Sequence, residues 1–170
     1  MPRIPIEKIY MQIAYQISKL SYAERRKVGC VIVKDEQIVS FGYNGTPHKF
    51  DNTCETIVYM DGDAGGWLDP EEVEEIWPYE NETGRFKLVS KHEVLHAESN
   101  ALMKLAKTTM SSKDSVLFTT TSPCFDCAKL IIQSGVKEVF YCEAYRDMTG
   151  IALLERAGIP VNQVIVWNND

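Results

Sequence analysis

Leu95-His96-Ala97-Glu98 and, further along, Ser122-Pro123-Cys124-Phe125-Asp126-Cys127 are the two pieces of sequence from which the rest of this chain is read. One imidazole and two thiols, the thiols one helical turn apart, make three protein ligands for zinc, and a catalytic zinc keeps a fourth position open. The spacing also dictates local structure. Cys124 and Cys127 share a face if a helix starts at about Ser122, and the positive end of that helix favours the thiolate that binds metal. Ser122 suits the N-cap, Pro123 the first helical position, and Gly135 the stop after about residue 134. His96 and Glu98, only two apart, would diverge on a continuing helix, so both reach one site only where a helix begins. Two helix N-termini facing each other across a metal are therefore expected, with Glu98 beside them as a proton carrier. A C-x-x-C alone reads equally as half of a structural zinc site or a redox pair, and an H-x-E alone as helix surface. The two halves together, with few spare residues for a fourth structural ligand, favour the catalytic reading.

Working outward, residues 5–20 space Ile6, Ile9, Tyr10, Ile13, Ile17 and Leu20 at three and four, the pattern of an amphipathic helix. Residues 28–33 are a continuous β-branched run, as in a strand buried on both faces, and residues 34–37 turn into a return strand at 38–43. After Asn44-Gly45-Thr46-Pro47, residues 45–90 show little periodicity. They read as an insertion over the site, loop-like at 61–66 and with a short acidic helix behind Pro70. Beyond it the expectation is a helix at 96–107, a strand at 115–120, the helix behind Ser122, a strand at 136–142, a helix at 149–157 and a last strand at 164–167. The fold class is therefore α/β: one domain over residues 1–170, with a mixed five-stranded sheet carrying a parallel section and an antiparallel edge, sandwiched between helices in three α/β/α layers.

Composition narrows the function. The chain has 170 residues, 45% of them hydrophobic, and a formal net charge of -6. A polymer of nucleic acid is held by neutralising its phosphates, so an acidic chain without a basic stripe is not expected to bind one. A small anion needs only a few local cations. Residues 1–5 lack the apolar core of a signal peptide, and nothing approaches the roughly 18 apolar residues of a membrane span. Cytoplasmic residence is the expectation, and an odd cysteine count of five, two of them in C-x-x-C, fits a reducing compartment.

Together with the two metal half-motifs, Arg25-Arg26-Lys27-Val28-Gly29-Cys30-Val31-Ile32-Val33, Gly42-Tyr43-Asn44-Gly45-Thr46-Pro47, the long insertion before His96 and Cys142-Glu143-Ala144-Tyr145 give a chain that resembles the cytidine deaminase superfamily and, within it, the dCMP deaminases. The resemblance implies the cytidine deaminase fold, one catalytic Zn2+ per chain on His96, Cys124 and Cys127, and hydrolysis of dCMP to dUMP and ammonia for thymidylate synthesis. Glu98 would take a proton from the attacking water and deliver it to ring N3 and then to the leaving amine. It further implies substrate contacts from Arg26, Asn44, Ala97, Ser122 and Tyr145, with Asn44 on the sugar and Arg26 and Tyr145 on the 5′-phosphate.

The resemblance also implies a homohexamer activated by dCTP and inhibited by dTTP, with effector contacts at Gly42, Tyr43 and Gly45 and Mg2+ accompanying the triphosphate. Deamination of another base or nucleoside, or a catalytically inactive nucleotide-sensing zinc module, are the competing readings; retention of Glu98 argues against the second. Whether Arg25 or Arg26 points inward stays open, and both could be a solvated helix cap. Cys30 stands where such enzymes usually have alanine. Some such enzymes hold a second, structural zinc in the insertion; the spare ligands here, Cys54, His48 and His92, are scattered rather than closely spaced, which makes it the less favoured reading and leaves it open.

Overall fold

The computed structural model describes residues 3–62 and 68–166. The elements in chain order are α1 (Ile6–Ser18), β1 (Gly29–Lys34), β2 (Gln37–Tyr43), β3 (Glu55–Tyr59), α2 (Pro70–Ile76), β4 (Tyr79–Asn81), β5 (Gly84–Ser90), α3 (Ala97–Leu105), β6 (Val116–Thr121), α4 (Phe125–Gln133), β7 (Glu138–Glu143), α5 (Thr149–Arg156) and β8 (Val161–Gln163). The main sheet has the order β2-β1-β6-β7-β8. β1 runs antiparallel to both β2 and β6, whereas β6, β7 and β8 run parallel, so the sheet is mixed as the helix-separated strands predict.

Strand side chains alternate between faces, and β1 shows what that does here. Cys30 and Ile32 join Ala101, Leu105, Leu117, Ala128, Ile131 and Leu154 on the face covered by α3, α4 and α5. Val31 and Val33 join Met11, Ala14 and Phe118 on the face covered by α1. A continuous apolar strand is thus the central partition between two cores, which is why no polar residue interrupts it. Gly29 lets α1 approach: a Cβ there would lie 2.0 Å from the Ala14 carbonyl oxygen. The β1–β2 turn places Asp35 and Glu36 both at positive φ (50° and 62°), the left-handed pair of a two-residue hairpin. Tyr10 Oη donates to the Glu36 carbonyl at 2.8 Å and ties that turn to α1.

Three expectations are corrected. Residues 45–90 are not largely loop: β3, β5 and β4 form a separate antiparallel sheet in that order, with α2 between β3 and β4. Its strands escape a periodicity reading because neither face is deeply covered; Ile57, Val58, Tyr59 and Val89 are all exposed. The α2 start does follow its sequence, with Asp69 as N-cap, Glu72 reaching back to the Asp69 N–H, and Pro70 in the first turn. Part of the predicted loop at 61–66 lies outside the described residues. Second, α4 has Cys124, not Ser122, as its N-cap. Third, the last strand is Val161–Gln163 rather than 164–167. Val139 N–H already donates to the Pro160 carbonyl, so pairing with β7 starts directly after the proline, while Val166 turns into the core beneath α1. Trp167 lies outside the described residues.

The excursion that holds the small sheet is closed at its base. Gly45 and Leu95 exchange both backbone hydrogen bonds, at 3.1 and 2.9 Å, immediately before His96.

Candidate active site

His96 is the N-cap of α3 and Cys124 the N-cap of α4, with Cys127 in the first turn of α4. Both helix starts are tied to the sheet. Asn100 donates from its side chain to the Tyr43 carbonyl at 2.8 Å, fixing α3 on the end of β2. Ser122 N–H donates to the Glu143 carbonyl at 2.9 Å and Ser122 Oγ accepts from Tyr145 N–H at 2.8 Å, fixing the turn before α4 on the end of β7. Ser122 therefore anchors the ligand turn to the next crossover instead of capping the helix. Gly150, at the start of α5, closes the same corner: a Cβ on it would lie 2.1 Å from the Pro123 carbonyl oxygen.

His96 Nδ1 lies 3.3 Å from Cys124 Sγ and 3.5 Å from Cys127 Sγ. A tetrahedral zinc with Zn–N near 2.05 Å and Zn–S near 2.3 Å requires N···S of about 3.5 Å, so the donor set fits that ion in kind and in spacing. The Cys124 thiol is pushed down to about 4, chiefly by its hydrogen bond with Cys127 and further by His96. The same contact with Cys124, together with burial, pushes Cys127 up. The thiolate is the form of cysteine that binds a divalent cation, so metal binding displaces thiol protons. Among the described residues no other group of three His, Cys, Asp or Glu side chains converges in this way, and Cys54, His48 and His92 are not brought together. Cys54 is buried with its thiol turned to the Asn52 carbonyl.

Glu98 is 4% exposed, and Cys127 Sγ approaches its Oε2 at 3.5 Å. Burial raises its pKa above the ordinary carboxylate value, against the pull of its own backbone N–H and of His96. Above it opens a cleft of about 360 Å³, within the ordinary range for small-ligand sites. Its walls bring Arg26, Asn44, Ala97, Ser122 and Tyr145 together with His96, Glu98 and Cys124.

Arg25 and Arg26 both face the cleft but are held differently: Arg25 Nη1 donates to Ser90 Oγ at 3.3 Å, and Arg26 Nη2 pairs with Glu143 at 2.9 Å. The Asn44 amide is already engaged, accepting from Val28 N–H and donating to the Arg26 carbonyl, both at 2.8 Å. It joins the turn after β2 to the arginine loop and keeps one donor and one acceptor position for a ligand.

Sequence reasoning missed Arg146, Glu55 and Ser90 as cleft residues. Arg146 was within reach, as a cation directly after Tyr145 at the end of a strand. Of the residues expected to contact an effector, Tyr43 and Gly45 line a second cleft that also carries Lys49, Lys104 and Lys107. Gly42 does not. A Cβ there would meet the Ala97 carbonyl oxygen at 2.2 Å, so Gly42 is a close-packing position between β2 and α3.

Residues 5–143 match the family model of the cytidine and deoxycytidylate deaminase zinc-binding region. The chain belongs to that family. Within it, the deoxycytidylate deaminase of Enterobacteria phage T4 is 36% identical over 173 residues, covering 91% of this chain and 87% of the relative. The Saccharomyces cerevisiae deoxycytidylate deaminase is 31% identical, covering 92% of this chain and 44% of a longer protein. Among solved structures, the dCMP deaminase of cyanophage S-TIM5 in complex with dCMP and dUMP aligns with a TM-score of 0.73 at 36% identity, covering 96% of this chain and all of that one. The zinc-binding deaminase fold of this family is thus the α/β sheet described above, and His96, Cys124 and Cys127 are the candidate metal set it carries here. Among the described residues no helix is long and apolar enough to cross a membrane.

Proposed function

We propose that this deaminase family member converts dCMP and water to dUMP and ammonia, supplying dUMP for thymidylate synthesis. One observation carries the reading: His96, Cys124 and Glu98, with the buried Cys127 in contact with His96 and Glu98, line the same cleft as Arg25, Arg26, Arg146 and Tyr145. A base-deaminating centre and a phosphate-sized group of cations thus share one cavity. Zinc on His96, Cys124 and Cys127 supplies the Lewis acidity that makes water a nucleophile at neutral pH.

Every other part of the reaction falls to side chains. Glu98 removes a proton from the water that attacks C4 and passes it to N3. It then takes the hydroxyl proton of the tetrahedral carbon and delivers it to the amine, so that the C4–N bond breaks, a carbonyl forms and ammonia leaves. Burial suits it to this task, because a carboxyl with a raised pKa holds the proton between the two transfers. Asn44 presents its remaining donor and acceptor to the deoxyribose. Ala97 and Ser122 line the base pocket, and Arg26, Tyr145 and Arg146 receive the phosphate, guanidinium being the side chain best matched to phosphate oxygens.

The test is ammonia release by the zinc-loaded protein from dCMP and from deoxycytidine. A dCMP preference of about 100-fold or more in kcat/KM is expected, in line with a few charge-assisted hydrogen bonds. Equal rates would overturn the monophosphate assignment.

The second cleft, with Tyr43, Gly45 and its three lysines, is proposed to take a nucleoside triphosphate with Mg2+: dCTP as activator and dTTP as inhibitor, in a homohexamer. The same assay with either triphosphate added, and the mass of the protein in solution, test that extension.

Arg26 supplies another expected result. Its pairing with Glu143 is mostly open to solvent, the two side chains being 43% and 64% exposed. Such a pair is worth about 1 kcal/mol or less, so phosphate displaces the carboxylate easily. Glu143→Gln should lower KM for dCMP about two- to fivefold without changing kcat, the range that energy allows. Steady-state kinetics at fixed ionic strength would show it, and an unchanged or raised KM would mean that Glu143 does not compete for Arg26.

A further inference from the structure

Glu55 is the first residue of β3 and lies at the base of the inserted sheet, where it is only 8% exposed. A carboxylate is costly to bury unless donors surround it. Here the donors come from the arginine loop. Glu24 N–H approaches the two carboxylate oxygens at 3.2 and 3.3 Å, and Arg25 N–H approaches one of them at 3.3 Å. Directly across the first rung, Ser90 pairs with Glu55, and Ser90 Oγ accepts from the Arg25 guanidinium. One rung of the small sheet therefore holds both the backbone and the side chain of Arg25. The next residue, Arg26, is left free to reach over the cleft, where Glu143 receives it and the Asn44 amide supports its carbonyl.

We propose that Glu55, with Ser90, is a positioning residue for recognition of the substrate's anionic end, acting through the Glu24-Arg25-Arg26 backbone and not by touching the reacting base. The inference rests on the dCMP reading above. A carboxylate lining a phosphate-binding cleft would repel its ligand if it were free; consumed by two N–H groups, it instead fixes where the neighbouring guanidinium groups stand. The insertion then contributes to substrate choice through the rung at its root.

Glu55→Ala and Glu55→Gln in the full zinc-loaded chain test this with dCMP and deoxycytidine. Glu55→Ala should raise KM for dCMP about tenfold, an effect of the size of one lost charge-assisted hydrogen bond. Its kcat should stay within about twofold, and its kcat/KM for deoxycytidine should not change. Glu55→Gln keeps an acceptor oxygen and should restore most of the affinity, and Ser90→Ala should shift KM in the same direction by less. A proportional loss on both substrates, or an unchanged KM for dCMP, would overturn the proposal. If thermal melting shows Glu55→Ala to be unfolded, Ser90→Ala decides, and an unchanged KM there overturns it equally. Wild-type protein without a preference for dCMP would defeat the substrate reading itself. A wild-type preference that survives intact in Glu55→Ala defeats only this inference.

Discussion

Glu98→Gln is expected to keep one zinc per chain and to lose turnover by about 10³-fold, the middle of the range for a proton-transferring side chain. The substitution preserves volume in a position where the side chain is 4% exposed, and an amide can still meet the Cys127 sulfur that approaches at 3.5 Å. What it removes is the capacity to accept a proton at one atom and release it at another. Two successive transfers are assigned to the same carboxylate, so its loss stops both. Metal content by elemental analysis and ammonia release on one preparation provide the check. Turnover above about a tenth of wild type, well outside that range, would show that Glu98 is not the proton carrier. Loss of zinc together with turnover would make it a metal-site support instead.

Gly150→Ala is expected to weaken zinc binding about 10- to 100-fold, although Gly150 touches no ligand atom, a loss typical of groups that orient metal ligands. Its added Cβ would fall 2.1 Å from the Pro123 carbonyl oxygen and 2.7 and 2.8 Å from the Cys124 carbonyl carbon and oxygen. Backbone cannot yield at those distances without moving Cys124, whose sulfur must stay within a few tenths of an ångström of its place for the tetrahedron to close. Gly29→Ala is the matched control. It crowds the Ala14 carbonyl oxygen at 2.0 Å, on the α1 side of the sheet and away from the ligands. Both variants should melt earlier, by an amount corresponding to the roughly 1–3 kcal/mol of an overfilled core, and only Gly150→Ala should lose to a zinc chelator at concentrations the wild type resists. Equal chelator resistance in the two would show that the α5 start does not hold the Cys124 turn.

These two residues mark the limits of what could be read without coordinates. The convergence of Glu98 with His96, Cys124 and Cys127 is legible because all four sit within a few residues of helix starts, where local spacing alone constrains them. The partition strand β1, the hairpin behind it and the order of the later strands and helices are legible for a similar reason: each carries its own pattern of apolar residues and turn residues. Gly150 is not, since a glycine in the first turn of a helix has no local signature, and its role exists only where α5 meets Pro123. Glu55, Ser90 and Arg25 are distant in sequence and meet through the pairing of β3 with β5. That small sheet was itself hidden, because strands open on both faces show no alternation of apolar and polar residues. Ser122 shows a subtler failure. Its chemistry suits a cap, but the Tyr145 N–H competed for its hydroxyl and the helix began at Cys124.

The paired hydrogen bonds between Gly45 and Leu95 act as a drawstring at the neck of the insertion. His96 follows at once, so the metal ligand takes its position from β2 through that neck and from α3 through Asn100, whatever lies between. The outer strands of the pouch pair with one another and not with the main sheet that carries the metal ligands. Among the described residues of the small sheet, its innermost rung, Glu55 with Ser90, lines the cleft. A protein built this way can change how it selects its ligand by redrawing a peripheral segment while the reaction chemistry stays untouched, and the two properties are free to diverge at different rates.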